Sequence, residues 1–266
     1  LLFFGFKSQA INFNQHNLYS NNLRQVRELD ARIDRNVLQT RDGLLSYYDP
    51  LVQDISQLQQ LQTELQKTPN FIESRGREAL SQMLQTEIEL WREKAENIYR
   101  FQSENAILRN SLFYFPIAIA DVTKNSTQRV VVEQCNSLLR NILLFNLTTT
   151  ETLAHQIEDD IRQILLTNQG NSFPAIDIAI AHARKILKHQ VRVNELVKAI
   201  VTSGTAKHSE NRIRTYEIYY QQALKSTSTY RLWFYCLSIV LLVGVASGII
   251  QRIQAYAAAT KRAEAK

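Results

Sequence analysis

Residues 232–250, LWFYCLSIVLLVGVASGII, carry no charge in a chain in which Asp, Glu, Lys and Arg make up 21% of 266 residues. As a helix rising ~1.5 Å per residue they span about 28 Å, close to the ~30 Å hydrocarbon core of a bilayer. A bilayer offers the backbone no water, so a spanning segment must satisfy its own N–H and C=O groups, which an unbroken helix does. The flanks suit that reading. Tyr230, Arg231, Trp233 and Tyr235 stand at one end and Arg252 and Tyr256 at the other, as interfacial anchors do. The competing assignment, a buried helix of a large soluble core, lacks enough other apolar sequence to surround it. We expect a transmembrane helix over 232–250.

The chain opens LLFFGFK without an initiating Met. Six apolar residues are too few to cross a bilayer, and no signal-peptide n-region or cleavage site is visible. Residues 1–6 are therefore expected to be the end of a preceding transmembrane helix, with 7–231 a loop between two spans. Residues 251–266 carry Arg252, Lys261, Arg262 and Lys266 against Glu264, and such short basic flanks stay cytoplasmic. The expected topology places 7–231 on the opposite side of the membrane from that tail, as a long extracytoplasmic loop. That segment holds 27 basic and 24 acidic residues, a balance too even to point to nucleic acid.

Seven Gly and four Pro leave few turns for short strands, so 7–231 reads as all-α. Stepping from Leu23 by threes and fours meets Leu23, Val26, Asp30, Ile33, Val37, Thr40, Leu44, Tyr47, Leu51, Asp54, Leu58, Leu61 and Leu65, mostly apolar. The phase survives Pro50, which predicts one long helix kinked there. A second stripe runs Leu80, Leu84, Ile88, Trp91, Ala95, Ile98, Leu108, Leu112 and Phe115, and is expected to stop at Pro116. Leu138, Ile142 and Phe145 mark a shorter helix, and Leu153, Ile157, Ile161 and Ile164 another. After the loop NQGNSFP, with Gly170 fit to end a helix and Pro174 to begin one, a stripe runs Ile176, Ile180, Ala183, Leu187, Val191 and Val197. TSGT at 202–205 interrupts it weakly. Ile213, Tyr216, Tyr220 and Leu224 then lead into the span with no Pro or Gly before Gly244.

Polar residues inside the stripes are the candidates for function. If the first two helices fold back antiparallel about Pro69 and Asn70, Asp30 faces Arg109, and Gln102 and Asn105 fall in core slots opposite Val37 and Asp34. Such a layer is either a register-setting network or the wall of a small-molecule pocket between helices. Catalytic and metal constellations are absent from the pattern. His16, His155, His182, His189 and His208 are scattered, and neither a phosphate loop nor a nucleophile elbow occurs. Cys135 stands alone outside the span that holds Cys236, so no disulfide framework is expected. No cofactor is expected either.

Three stretches, LDARIDRNVLQTRDGLLSYYDPLV (29–52), LRNSLFYFP (108–116) and AHARKILKHQVRVNELVKAIVTSGT (181–205), followed by a Tyr-rich helix entering a span, resemble the DAHL domain. That family, the double all-helical ligand-binding module, is the extracytoplasmic sensor of bacterial histidine kinases, hybrid kinases and diguanylate cyclases. The resemblance implies an elongated antiparallel helical bundle of two stacked four-helix modules sharing long helices. It also implies a small molecule or periplasmic binding protein as partner, and a cytoplasmic output such as a histidine kinase. Its matching polar positions are Arg41, Asp42, Tyr48, Asp49, Asn110, Ser111, Arg184 and His189. With the bundle positions, the candidate ligand residues are Arg41, Tyr48, Gln102, Asn105, Arg109 and Asn110. Gly244 and Gly248 could let two spans pack closely in a homodimer. The alternative is a membrane-anchored helical tether or scaffold without a ligand.

Overall fold

The computed structural model describes residues 11–169 and 173–264, with side chains of the last helix described as far as Gln254. Within them lie seven helices: α1 Phe13–Arg41, α2 Asp49–Leu65, α3 Ser74–Asn125, α4 Arg129–Thr148, α5 Glu151–Thr167, α6 Pro174–Val201 and α7 Thr205–Glu264. The described chain is all-α. Leu1 to Phe6, Gly170 and Lys266 lie outside the described residues, and so do the side chains of Tyr256, Lys261, Arg262 and Glu264.

The first stripe is buried as expected except at Leu44 and Tyr47, but it is not one kinked helix. It is a hairpin. Asp42, Gly43 and Leu44 turn their amides onto the last carbonyls of α1, Leu38, Thr40 and Gln39, with Gly43 at φ +80°. A left-handed residue there ends the helix, and Gly adopts it without steric cost. Pro50 then sits in the first turn of α2, where its missing N–H costs nothing. Heptad phase carries across the turn because both arms face the same core, and phase says nothing about chain direction.

Two compact units divide the helices. Unit 1 takes the described residues up to Arg27, Leu61–Thr86 and Lys207 onward, and unit 2 takes Glu28–Gln60 and Glu87–Ala206. α1, α2, α3 and α7 thus contribute to both.

In unit 1, Leu23, Val26, Leu61, Leu65, Leu80, Leu84 and Tyr216 are buried. Burying such a side chain contributes roughly 1.5–3 kcal/mol. Asn22 Nδ2 donates to Glu64 Oε2 at 2.9 Å, and Arg27 Nη1 to Glu210 Oε2 at 3.1 Å. His16 stacks on Tyr220 with ring centres 3.7 Å apart and shares a 2.9 Å hydrogen bond with the Tyr216 hydroxyl. Burial holds its imidazole below 6.5, with Arg24 adding to the effect and Glu217 opposing it. Gly76 lies where a Cβ would come within 2.8 Å of Ile72 Cγ2 and the Tyr219 ring. Gly76→Val is therefore expected to cost about 1–3 kcal/mol, a drop of about 2–12 °C in melting temperature by circular dichroism. A variant that melts like the parent would show that Tyr219 swings away freely.

In unit 2, α1 and α2 are bridged by Arg32 Nε and Asn36 Nδ2, which donate to Asp54 at 3.0 and 3.1 Å. α4 and α5 form a second antiparallel hairpin through Asn141–Asp160 (2.7 Å) and Gln134–Thr167 (3.1 Å). α3 does not stop at Pro116 but runs on to Asn125, burying Ile119 and Val122. A proline removes one hydrogen bond and crowds the preceding turn, and this packing outweighs that cost. α6 begins at Pro174 and buries Ile176, Ile180, Ala183, Ile186, Gln190, Val193, Val197 and Ile200, so beyond Ala183 its inner face lies one residue off Leu187 and Val191.

The α1–α2 hairpin reverses the expected pairing. α3 runs parallel to α1 within unit 2, as contacts at sequence offsets of 64 and 65 residues show: Asp30–Lys94, Thr40–Asn105 and Leu45–Arg109. Asp30 accordingly meets Lys94 and not Arg109. Asn105 packs beside Thr40 and not Asp34.

Candidate ligand cavity

The end of α1 and the turn after it bring Arg41, Asp42 and Gly43 to one wall of a cavity of about 410 Å³. α3 supplies Asn105 and Arg109, and α4 and α6 supply Asn146 and Gln190. Asn105 is wholly buried and Gln190 is 1% exposed. The Asn105 Nδ2 amide donates to the Tyr48 hydroxyl at 3.2 Å and, more weakly, to the Thr40 carbonyl at 3.5 Å. Gln190 Nε2 donates to the Asn146 carbonyl at 3.3 Å. Those partners orient both amides, and they leave Asn105 Oδ1 and Gln190 Oε1 with no hydrogen-bond donor from the protein. A buried acceptor without a donor costs about 1–3 kcal/mol, so native folds rarely keep two in one place without purpose. Depressions of about 950 Å³ in unit 1 and 630 Å³ in unit 2 are larger, but neither is lined by a residue that carries such an orphaned atom.

The cationic side of the cavity is held open by its own bonds. Arg109 Nη1 donates to the Leu45 carbonyl at 2.9 Å, which fixes the guanidinium by one corner. Arg41 lays its Nε and Nη2 on Asn194 Oδ1 at 3.3 and 3.1 Å and its Nη1 on Asp42 at 2.7 Å. Asn194 in turn donates to Thr149 Oγ1 at 3.0 Å. Thr149 ends α4 at φ 40° in the left-handed region, a strained conformation for a β-branched residue. The α6 amide and the bond from Thr149 Oγ1 to the Phe145 carbonyl (3.0 Å) hold it there.

Of the six candidate ligand residues, Arg41, Asn105 and Arg109 line this cavity, and Tyr48 touches it through Asn105. Gln102 is half-buried one turn away with Nε2 unpartnered, and Asn110 is exposed on α3; neither lines it. His189 instead pairs with Glu104, which Arg192 also contacts at 3.2 Å. Arg184 borders the 630 Å³ depression. Gln190 is the residue the sequence reading missed. Alternating threes and fours from Ala183 give 186, 190, 193, 197 and 200, which puts Gln190 in a core slot.

A second buried polar cluster in unit 2 keeps Asp30 in the polar layer expected of it but gives it Lys94 as partner in place of Arg109. Lys94 is 1% exposed and bonds Asp30, approaches Asp34 at 2.7 Å, and donates to Thr205 Oγ1 at 3.3 Å. Thr205, the first residue of α7, also donates to both Asp30 oxygens at 3.0 and 2.9 Å. A carboxylate at a helix start is favoured by the exposed N–H dipoles there. Burial pushes the Asp34 carboxyl up, Lys94 pulls it back, and Asp30 adds to the rise.

The DAHL domain profile fits residues 11–231. This chain belongs to the DAHL domain family. The match covers both units up to the start of the apolar run, so the DAHL domain here includes the cavity and the Lys94 cluster. DAHL domains are sensor-type domains. No solved structure matches the chain. α7 contains an 18-residue window of mean hydropathy 2.2, none of it buried, and is long and apolar enough to cross a membrane.

Proposed function

We propose that this DAHL domain is the ligand-sensing input of a bacterial inner-membrane receptor, with a two-component histidine kinase as the output. The observation that carries the reading is α7. It begins beside Asp30 and Lys94 in unit 2, contributes Tyr216 and Tyr220 to unit 1, and continues without interruption through 232–250 to Glu264. An unbroken helix passes rotation or translation along its length, whereas a flexible tether does not. A ligand that binds one packing of the bundle better than another shifts that equilibrium, and α7 carries the shift through the bilayer. Residues 11–231 are then periplasmic and the tail cytoplasmic. A second copy of the chain packs along Gly244 and Gly248, where added methyl groups would meet nothing within 4 Å.

The relay can be tested without knowing the ligand. With a histidine kinase core appended after Lys266, inserting one to four alanines after Ser228 turns the output by ~100° per residue. Kinase activity is expected to swing several-fold and to recover near the fourth insertion. Activity indifferent to insertion length would remove the relay and leave an anchored scaffold.

A further inference from the structure

We propose that the cavity between the α1–α2 turn, α3 and α6 binds a free amino acid through both its ammonium and its carboxylate. This rests on the sensor reading above and specifies what the sensor takes. The lining divides into two chemistries. One is acceptor-rich: the lining residues Asn105 and Gln190 each keep a buried amide oxygen without a donor, and Asp42, one oxygen of which already takes Arg41 Nη1, borders the same space. An ammonium presents three N–H donors and no acceptor, which is the complement of three oxygens. A hydroxyl would offer only one donor. The other chemistry is cationic. Arg109 spends one nitrogen on the Leu45 carbonyl and keeps the rest of its fork, a geometry matched to a carboxylate.

Charge points the same way. Arg41 and Arg109 against Asp42 leave the lining one positive charge in excess, so an amine alone would be repelled and a zwitterion would not. About 410 Å³ lies within the range of small-molecule pockets and suits a molecule of this size. Asn105 reaches Tyr48 and Thr40, and Gln190 reaches Asn146, so a ligand that engages both amide oxygens draws α3 and α6 against the α1–α2 turn and the end of α4.

The experiment is calorimetric titration of the whole chain in lipid nanodiscs with each of the twenty L-amino acids. Every binder is matched against the carboxylic acid lacking its amine and the amine lacking its carboxylate. At least one amino acid is expected to bind in the micromolar range, with both truncated analogues at least tenfold weaker. Asn105→Leu and Gln190→Met are expected to weaken it tenfold or more. Arg109→Gln, which can still donate to the Leu45 carbonyl, is expected to weaken the amino acid and, by removing the excess positive charge, to leave the amine bound at least as well as before. No binding by any of the twenty, carboxylic acids binding as tightly as amino acids, or affinity untouched in all three variants would each overturn the proposal. The alanine-insertion series needs no ligand, so a periodic output alongside failed titrations would discard the ligand class and keep the sensor.

Discussion

Lys94→Met is expected to lower the melting temperature by roughly 6–20 °C. The substitution keeps the length of the side chain and removes its charge, leaving the Asp30 and Asp34 carboxylates, 2% and 21% exposed, without their cation. Breaking a buried ion pair from one side costs about 3–5 kcal/mol, and each kcal/mol moves a protein of this size by about 2–4 °C. The triple variant Asp30→Asn, Asp34→Asn, Lys94→Met should regain most of the loss, because neutral partners carry no desolvated charge. A triple variant as unstable as the single one would mean that packing around Lys94, and not charge, sets the cost.

pH gives an independent check, and its sign follows from Asp34. Burial, the largest influence, raises its carboxyl above the usual 3.8 in the folded chain. A raised acid pKa means that the fold holds the proton more tightly, so this group favours folding below 3.8 and loses that contribution as pH rises through the folded value. Asp34→Asn alone should therefore stabilise the chain at pH 7 relative to the parent, with the gain fading as pH falls toward 3.8. In Lys94→Met the opposing pull of the lysine is gone, so its deficit should be larger at pH 7 than at pH 4. Thermal melts of the variants across that window decide the matter. A deficit independent of pH would show that the carboxylates are solvated.

The sequence carried helix content and core positions more faithfully than chain direction. The stripe from Leu23 to Leu65 marks residues that are buried at every slot except Leu44 and Tyr47, and those two form the turn. The fold reverses there because Gly43 takes a left-handed conformation and Pro50 starts the next helix. RDG and YYDP were the available signals, but periodicity with its phase intact masked them. One misread turn then displaced a whole register. Counting antiparallel from Pro69 paired Asp30 with Arg109, whereas the parallel offset pairs Asp30 with Lys94 and sends Arg109 to the Leu45 carbonyl. Arg41, Asn105 and Arg109 still converge, since the α1–α2 turn lies beside the middle of α3 in the folded unit. Lys94 escaped notice because a lysine in a core slot reads as a solvated neighbour of the apolar Ala95. Only the fold reveals that two carboxylates wait for it.

Leu241→Arg with Leu242→Arg is expected to expel the exit helix from the bilayer. Leu241 and Leu242 are 55% and 66% exposed, and the whole apolar window has no protein surface covering it. In water that surface would drive aggregation, whereas lipid solvates it. Two arginines at mid-membrane depth cost about 5–7 kcal/mol on translocon-insertion scales, enough to reverse the favourable transfer of the remaining leucines, isoleucines and valines. The protein should shift from the alkali-resistant membrane fraction into the wash. Cys236, inside the run, should become reactive to a water-soluble maleimide that leaves it untouched in the parent vesicles. Cys135 does not confuse the reading, because it is buried in the core of unit 2 and burial pushes its thiol up to about 11. Retention in the membrane despite both arginines would mean that 232–250 is not what holds the chain there.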